Sequence, residues 1–199
     1  RKYKRGKVLD AAALDEIERY GRYLDTEGDG VPYRTIPGTH PTKGAFVARG
    51  SSRDEYAVYT EDGDAYRRNM DRLNAKWNTA KEMVPQPEFF QDANSSEYGV
   101  IFFGTSTYAA EEAIELLNND GIHLDSMRVR AFPFGKAFCE FVEAHDELFV
   151  IEQNRDAQFK SLMMIELGVD ASKLISVLNY DGTPITAEDI LEQIKGNLK

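Results

Sequence analysis

Hydrophobic positions follow a regular grammar in the second half of the chain. Gly99-Val100-Ile101-Phe102-Phe103 is an unbroken apolar run that stops at Gly104, the pattern of a strand buried on both faces. Residues 107–118 then place Ala110, Ala113, Ile114 and Leu117 on one helical face. Met127 to Phe132 reads as a second strand, and Phe138, Phe141, Val142 and His145 stripe a second helix. Leu148-Phe149-Val150-Ile151 is a third strand, Phe159, Leu162, Met163 and Glu166 form an inward stripe on the next helix, and Leu174 to Leu178 is a fourth strand. Thr186-Ala187-Glu188-Asp189 opens a last helix in the manner of a capping box, followed by Ile190, Leu191 and Ile194. Strands alternating with helices predict βαβ units, and so a three-layer α/β domain around a parallel sheet with right-handed crossovers.

The first half has no such rhythm. Residues 10–20 suit a short helix capped by Asp10, with Leu14 and Ile17 inward. Residues 25–63 are then punctuated by Gly28, Gly30, Pro32, Pro37, Gly38, Pro41, Gly44, Gly50 and Gly63. So long an aperiodic stretch points to a functional loop or an interface arm. Its aromatic residues, Tyr33, Phe46, Tyr56 and Tyr59, argue against disorder. A helix follows, with Tyr66, Met70, Leu73 and Trp77 on one face and Arg67, Arg68, Asp71 and Lys76 elsewhere. Pro85, Pro87 and the polar run from Gln91 to Ser96 read as a linker. The expected division is therefore an extended Gly/Pro-rich arm with helices over residues 1–90 and the α/β domain over 91–199.

Charge divides at the same place. Residues 1–90 carry 16 basic and 15 acidic side chains, whereas residues 91–199 carry 8 and 19. The net charge of −10 argues against nucleic acid as the main partner. No apolar run reaches the length of a membrane-spanning helix. The single cysteine, Cys139, excludes a disulfide framework or a thiolate-rich metal site on this chain alone, and its neighbours Phe138, Phe141 and Val142 suggest a buried, inert thiol. The chain opens Arg1-Lys2-Tyr3-Lys4-Arg5, with neither an initiator Met nor a signal-peptide apolar segment, and reads as a piece of something longer.

Most candidate sites have a plain reading beside the chemical one. Asp25-Thr26-Glu27-Gly28-Asp29-Gly30 starts like a calcium loop, but Ile36 stands where the bidentate acid is needed, which favours an Asp-Gly turn. Gly104-Thr105-Ser106-Thr107 lies at a strand-to-helix junction suited to anions. Glu111 and Glu112, placed in the first helical turn, would repel a phosphate, so a hydroxyl N-cap is the better reading. Gly182-Thr183-Pro184 is a turn before the helix that Thr186 caps. None of His40, His123 and His145 lies within four residues of another, which excludes a local helical zinc pair. His145 reads as the exposed end of a helix stripe, and His40 as a possible ligand-facing residue of the arm. Glu152-Gln153-Asn154-Arg155-Asp156-Ala157-Gln158 follows the third strand directly, at the position where α/β folds place ligand or subunit contacts, or else forms a loop and helix cap with Asp156 near the helix start. Arg34, Arg49 and Arg53 have few acids near them in sequence, and arginine grips a carboxylate well; salt bridging is the alternative.

The order of the motifs carries a resemblance. Gly28-Asp29-Gly30-Val31-Pro32-Tyr33-Arg34-Thr35-Ile36-Pro37-Gly38, then Arg49-Gly50-Ser51-Ser52-Arg53-Asp54-Glu55-Tyr56, Tyr59-Thr60-Glu61-Asp62 and Asn69-Met70-Asp71-Arg72-Leu73, resemble successive landmarks of the 2-oxoacid:ferredoxin oxidoreductase α subunit, in its 2-oxoglutarate-type form. The half from Gly99, including Val150-Ile151-Glu152-Gln153-Asn154-Arg155-Asp156, resembles that family's transketolase C-terminal-like domain.

The resemblance implies the C-terminal part of an α subunit, following a pyrimidine-binding domain, in a cytoplasmic thiamine diphosphate enzyme. Such an enzyme decarboxylates a 2-oxoacid oxidatively to an acyl-CoA and reduces ferredoxin. Thiamine diphosphate, Mg²⁺ and a [4Fe-4S] cluster would belong to the whole complex, an α2β2 assembly, with none expected on this piece. The β subunit and the upstream α domains would be its direct partners, with coenzyme A and ferredoxin engaged through the complex. Catalytic residues are expected to be absent from the piece, whose tasks would be docking subunits and walling the active-site approach. Arg34 and His40 are then candidates for contact with substrate, and Glu152, Asn154 and Arg155 for a subunit interface. A non-catalytic nucleotide-sensing or assembly module, and part of another transketolase-like dehydrogenase, remain alternatives on the α/β pattern alone.

Overall fold

The computed structural model describes residues 3–47, 52–90 and 97–198, so the linker run Gln91–Ser96 and Arg49 of the arm lie outside the described residues. The chain divides into two compact units, residues 1–83 and 84–199.

The first unit has little regular structure. Helix α1 spans only Ala11–Asp15. Asp10 caps it as expected, accepting from the Ala13 amide at 2.9 Å, and Leu14 is fully buried. The helix expected to reach residue 20 stops because its last carbonyls go elsewhere: the Lys43 ammonium donates to the Asp15 and Ile17 carbonyl oxygens at 3.1 and 2.8 Å. The arm returns to its own start through a parallel bridge between Val8 and Arg34, in which the Leu9 amide donates to the Arg34 carbonyl and the Arg34 amide to the Lys7 carbonyl.

Helix α2, Gly63–Met83, packs on the arm through small and polar residues. Ala65 and Asn69 are its buried positions. Asn69 donates to the Arg53 carbonyl at 2.7 Å, Arg72 to the Gly30 carbonyl at 3.1 Å, and Thr79 to the Asp29 carbonyl at 2.5 Å. The apolar stripe Tyr66, Met70, Leu73 and Trp77 stays between 37% and 48% exposed. Gly30 makes this packing geometrically possible. Its φ is +75°, and a Cβ there would sit 2.1 Å from the Lys76 amide nitrogen.

The second unit carries the expected layers. Five strands, β1 Glu88–Phe90, β2 Tyr98–Phe103, β3 Asp125–Val129, β4 Glu147–Glu152 and β5 Leu174–Leu178, form one sheet in the order β1-β3-β2-β4-β5. All neighbours run parallel except β1, which pairs antiparallel with β3. The sequence pattern did not flag β1. It is three residues long, too short for a visible alternation, and is held at the edge by Glu88, which bridges Arg128 at 2.9 Å and Arg130 at 3.2 Å.

Helices α3 Thr107–Asn119, α4 Lys136–Ala144, α5 Gln158–Leu167 and α6 Ala187–Asn197 cover the two faces. Val100, Phe102, Phe149, Ile151 and Val177 pack with Ala110, Ala113, Leu117, Ile190 and Ile194 of α3 and α6. Ile101, Met127, Leu148 and Val150 pack with Phe138, Phe141, Val142 and Met163 of α4 and α5. Successive strand residues thus alternate between two cores, as strands buried on both faces require.

Several local expectations are corrected. β3 begins at Asp125 and ends at Val129, earlier than the run read from Met127 to Phe132. His145 is buried instead of exposed, because its ring is consumed on both sides: Nδ1 donates to the Phe141 carbonyl at 2.8 Å and Nε2 lies 3.1 Å from the Asp125 carboxylate. Cys139 is only half-buried. On α5 the inward stripe reduces to Met163 with partly buried Phe159 and Leu162, while Glu166 is exposed.

Replacing Gly30 with Ala is expected to destabilise the first unit by on the order of 3 kcal/mol, since strained backbone and a main-chain clash combine. Gly28→Ala, at φ +76° but with open space around it, should cost only about 1 kcal/mol. Denaturant melts of the two variants check this, and equal losses would show that close approach to α2 is not the constraint.

Candidate functional site

The sheet winds one way from β2 to β3 and the other way from β2 to β4, so the carboxyl ends of β2 and β4 flank the crevice where open α/β sheets place ligands. Here the crevice is stitched shut by side chains. The Gln153 amide donates to the hydroxyl oxygens of Thr105 at 2.9 Å and Ser106 at 3.1 Å, and its carbonyl oxygen accepts from the Ile185 amide at 3.4 Å. Gly104–Ser106 is a single tight turn before α3. No side-chain hydroxyl caps α3; instead the Thr107 hydroxyl donates back to the Gly104 carbonyl at 2.8 Å. Nor does an acid occupy the first turn, since α3 begins at Thr107 and Glu111 and Glu112 follow one turn later.

Glu152, at the end of β4, is fully buried. One carboxylate oxygen accepts from the Phe159 amide at 2.7 Å and from the Asn154 side chain at 2.8 Å; the other accepts from the Lys160 amide at 2.9 Å. These two amides belong to the open N-terminus of α5, whose flanking residue Ala157 sits in the left-handed conformation and has no side chain to cap with. Asn154 adds a fourth link, accepting from the Gln158 amide at 3.2 Å. Of the three residues expected at a subunit interface, Glu152 therefore spends its charge inside the chain and Asn154 braces the same cap. Arg155 is exposed, with Nε 2.7 Å from Asp156.

In the arm, Arg34 is exposed and its guanidinium donates to the Arg5 carbonyl. His40 is held at both ring nitrogens. Nδ1 accepts from the Thr42 and Lys43 amides at 3.1 and 2.8 Å, which leaves the proton on Nε2 to face Asp15 at 2.9 Å. Asp25 closes its turn by accepting from the Gly28 and Gly30 amides at 2.9 and 2.8 Å, the Asp-Gly turn read from the sequence.

The other clamp of the arm is ionic. Lys7 lies 2.7 Å from both Glu27 and Asp29, and Tyr33 donates its hydroxyl hydrogen to Glu27. Burial works against the Lys7 charge, but the hydrogen bonds to Asp29 and Glu27 outweigh it and push the ammonium up to about 12. The bond from Lys7 holds both carboxyls below their usual range, with Tyr33 helping at Glu27 and the Val31 amide at Asp29.

Among the described residues, no group of three His, Cys, Asp or Glu side chains could hold a metal ion. The residues that sequence reasoning missed are those of a cleft on α2, namely Tyr23, Asn69 and Arg72 beside Arg53. Gly30, whose carbonyl Arg72 meets, lies 42 residues away in sequence, and only the spacing of three from Asn69 marks the shared face.

The second unit is thus a layered α/β module whose usual ligand crevice is internally satisfied, joined in sequence to a polar, loop-rich arm. No protein-family model matches the chain. The α subunit of 2-oxoacid:ferredoxin oxidoreductase 2 from Aeropyrum pernix is 27% identical over 195 residues, covering 96% of this chain and 29% of that one. The corresponding α subunit from Saccharolobus solfataricus is 23% identical over 150 residues, covering 73% of this chain and 23% of the relative. Among solved structures, the 2-oxoglutarate:ferredoxin oxidoreductase of Magnetococcus marinus, with 2-oxoglutarate, coenzyme A and succinyl-CoA bound, superposes with a TM-score of 0.79 at 22% identity over 92% of this chain and 31% of that chain. The resemblance drawn from the motifs is therefore matched by curated α subunits of an oxidoreductase across nearly the whole chain. The chain spans less than a third of the length of those relatives.

Two outcomes follow from this geometry. Glu152→Ala strands the Phe159 and Lys160 amides and should cost on the order of 3 kcal/mol, with those two amides exchanging hydrogen faster than the rest of α5; unchanged protection would remove the cap. The Lys7 clamp has a pH window set by the direction of its shifts. The lowered carboxyls stabilise it above their unfolded values, 4.5 for Glu27 and 3.8 for Asp29, and this is lost as pH falls through the lower folded values. The raised ammonium stabilises it fully below 10.5 and loses that as pH rises through about 12. Tyr33 ring signals in an NMR titration should therefore stay constant from pH 5 to 9 and move below pH 4.5. Movement between 5 and 9 would contradict the clamp, and Lys7→Met should move the acid transition to higher pH, because the bond that most lowers both carboxyls is gone.

Proposed function

We propose that this chain is the C-terminal portion of the α subunit of a thiamine diphosphate-dependent 2-oxoglutarate:ferredoxin oxidoreductase in the cytoplasm. In the complete enzyme, 2-oxoglutarate and coenzyme A give succinyl-CoA, CO₂ and a proton, and two electrons pass through an iron–sulfur cluster to ferredoxin. The observation that carries the reading is the match to the Aeropyrum pernix α subunit through both units, over 96% of the chain. The bound 2-oxoglutarate and coenzyme A of the Magnetococcus marinus enzyme motivate the choice of substrate. No helix among the described residues is long and apolar enough to cross a membrane, which is compatible with that location.

On this reading residues 1–90 are an arm that joins upstream α domains and walls the substrate approach, and residues 91–199 are a docking module. The crevice closed by Gln153 supports a scaffold role for that module, because the place where such a sheet would take a ligand is spent on internal bonds. Of the three interface candidates, exposed Arg155 and half-buried Asn154 are the two with surface to offer a β subunit. Arg34, whose guanidinium among the described residues meets a carbonyl oxygen, is an exposed arm residue with a charge to offer a dicarboxylate, and His40, held at both nitrogens, supports the loop that presents it.

The chain alone, given 2-oxoglutarate, coenzyme A and a viologen acceptor, should show no turnover, whereas the α subunit containing it, paired with its β subunit, should be active. Turnover by the chain alone would overturn the proposal. In that complete enzyme Arg34→Ala is expected to raise the KM for 2-oxoglutarate about tenfold, the loss of one charge-assisted contact; an unchanged KM would remove Arg34 from the substrate's path.

A further inference from the structure

The first unit contains a cleft of about 170 Å³ lined by Tyr23, Arg53, Tyr66, Met70, Arg72 and Leu73. One wall is cationic, and among the described residues no carboxylate is bonded to its guanidiniums. Arg53 Nε is buried without a hydrogen-bond partner, and among the described residues its guanidinium bonds through Nη1 to the Ala57 carbonyl at 3.3 Å. Arg72 donates to the Asn69 side-chain oxygen at 3.4 Å and the Gly30 carbonyl at 3.1 Å, both neutral acceptors. Arg22 stacks near Tyr23, 5.5 Å from the ring, with Arg72 at 5.9 Å from the same ring. Burial pushes the Arg72 guanidinium below its usual value and the Arg22 charge pushes the same way, against a partial pull upward from Asp25.

Three of the acids close in sequence are already engaged. Asp25 accepts from Gly28 and Gly30, Asp54 from the Tyr56 and Val58 amides at 2.9 and 2.8 Å, and Glu55 from Arg68 at 2.6 Å. Among the described residues, none of Arg22, Arg53 and Arg72 forms a salt bridge within 4 Å. A buried charged donor without a partner is a standing cost that a bound anion removes. The opposite wall is apolar: Tyr66, Met70 and Leu73 are the half-exposed residues of the α2 stripe.

We propose that this cleft is a binding site for a small organic acid, one carboxylate or phosphate group on a short aromatic or apolar stem. The anion is shared by the Nη groups of Arg53 and Arg72, and the stem lies between Tyr23 and the Tyr66, Met70 and Leu73 side of α2. Two guanidiniums at one mouth suit planar, two-pronged recognition of an oxyanion, and the apolar wall supplies the surface that a free inorganic ion leaves wet. Nothing in this argument uses the oxidoreductase reading, so the two stand or fall separately.

The test is an NMR titration of the full 199-residue chain, following the Arg Nε–H signals, with phenylacetate, phenyl phosphate, inorganic phosphate and the neutral 2-phenylethanol as probes. The Arg53 and Arg72 signals should shift saturably with one or both aromatic anions, and which one binds more tightly tells carboxylate from phosphate. 2-Phenylethanol and inorganic phosphate should each bind at least tenfold more weakly. Arg72→Gln should weaken the better anion tenfold or more in a chain that keeps its far-ultraviolet circular dichroism. If that variant does not fold, Arg53→Lys, which keeps the charge but loses the fork, should show the same loss. No saturation by either aromatic anion, inorganic phosphate binding as tightly as phenyl phosphate, or unchanged affinity in the folded variant would each overturn the proposal.

Discussion

The second unit depends on one buried carboxylate. Helix α5 starts at a residue in the left-handed conformation with no side chain to accept from its first amides, so the helix cannot cap itself. The strand before it supplies the cap: Glu152, completely enclosed, receives the Phe159 and Lys160 amides and the Asn154 side chain. A full charge at 0% exposure is tolerated because three donors and the positive end of a helix surround it. The arrangement fixes where α5 leaves the sheet. The next residue, Gln153, then reaches the turn after β2, so the two loops at the winding reversal become one hydrogen-bonded piece. A crevice that elsewhere accepts a ligand is here a structural joint.

That joint was only half legible in the sequence. The layers of the second unit were readable because apolar residues repeat at the strand and helix periods and two opposed cores result. A glutamate at a strand end, by contrast, looks the same whether it meets solvent, a partner or a helix N-terminus. His145 failed for a related reason. It closes the stripe of α4 as any amphipathic residue would, but its second partner, Asp125, lies 20 residues away and no local pattern announces it. Helix α1 was overextended because the lysine that takes its terminal carbonyls is more than 25 residues downstream. In each case local propensity was right and a tertiary hydrogen bond decided the boundary.

The arm was legible as an arm and in little else. Its glycines and prolines mark turns without saying where the chain goes next, and its ordering comes from polar bonds: the Lys7 clamp, the His40 brace, the Asp25 turn and the carbonyls that Asn69, Arg72 and Thr79 of α2 pick up. Helix α2 shows how far this goes. Amphipathic reading turns Tyr66, Met70, Leu73 and Trp77 inward, yet the helix meets the arm through the face carrying Ala65, Asn69, Arg72 and Thr79. The backbone of Gly30 approaches that face so closely that a larger side chain on either partner is excluded, and small or hydrogen-bonding residues are what such an approach accepts.

The two units therefore differ in what they leave unspent. In the second, Glu152 and Gln153 are spent on internal bonds at the sheet's carboxyl edge, and His145 and Asp125 on each other at its amino edge. In the first, acids serve backbone amides, Lys7, His40, Arg67 and Arg68, while Arg34, Arg53 and Arg72 are bonded to neutral carbonyl or amide oxygens. A guanidinium bonded to a carbonyl keeps its full charge, so the field it projects is not cancelled by the bond it makes. Net charge by halves points the same way, since the acidic excess lies wholly after residue 90. An acidic group meeting this chain would therefore find uncancelled guanidinium charge in the loop-rich first unit and internally spent polar groups in the α/β unit.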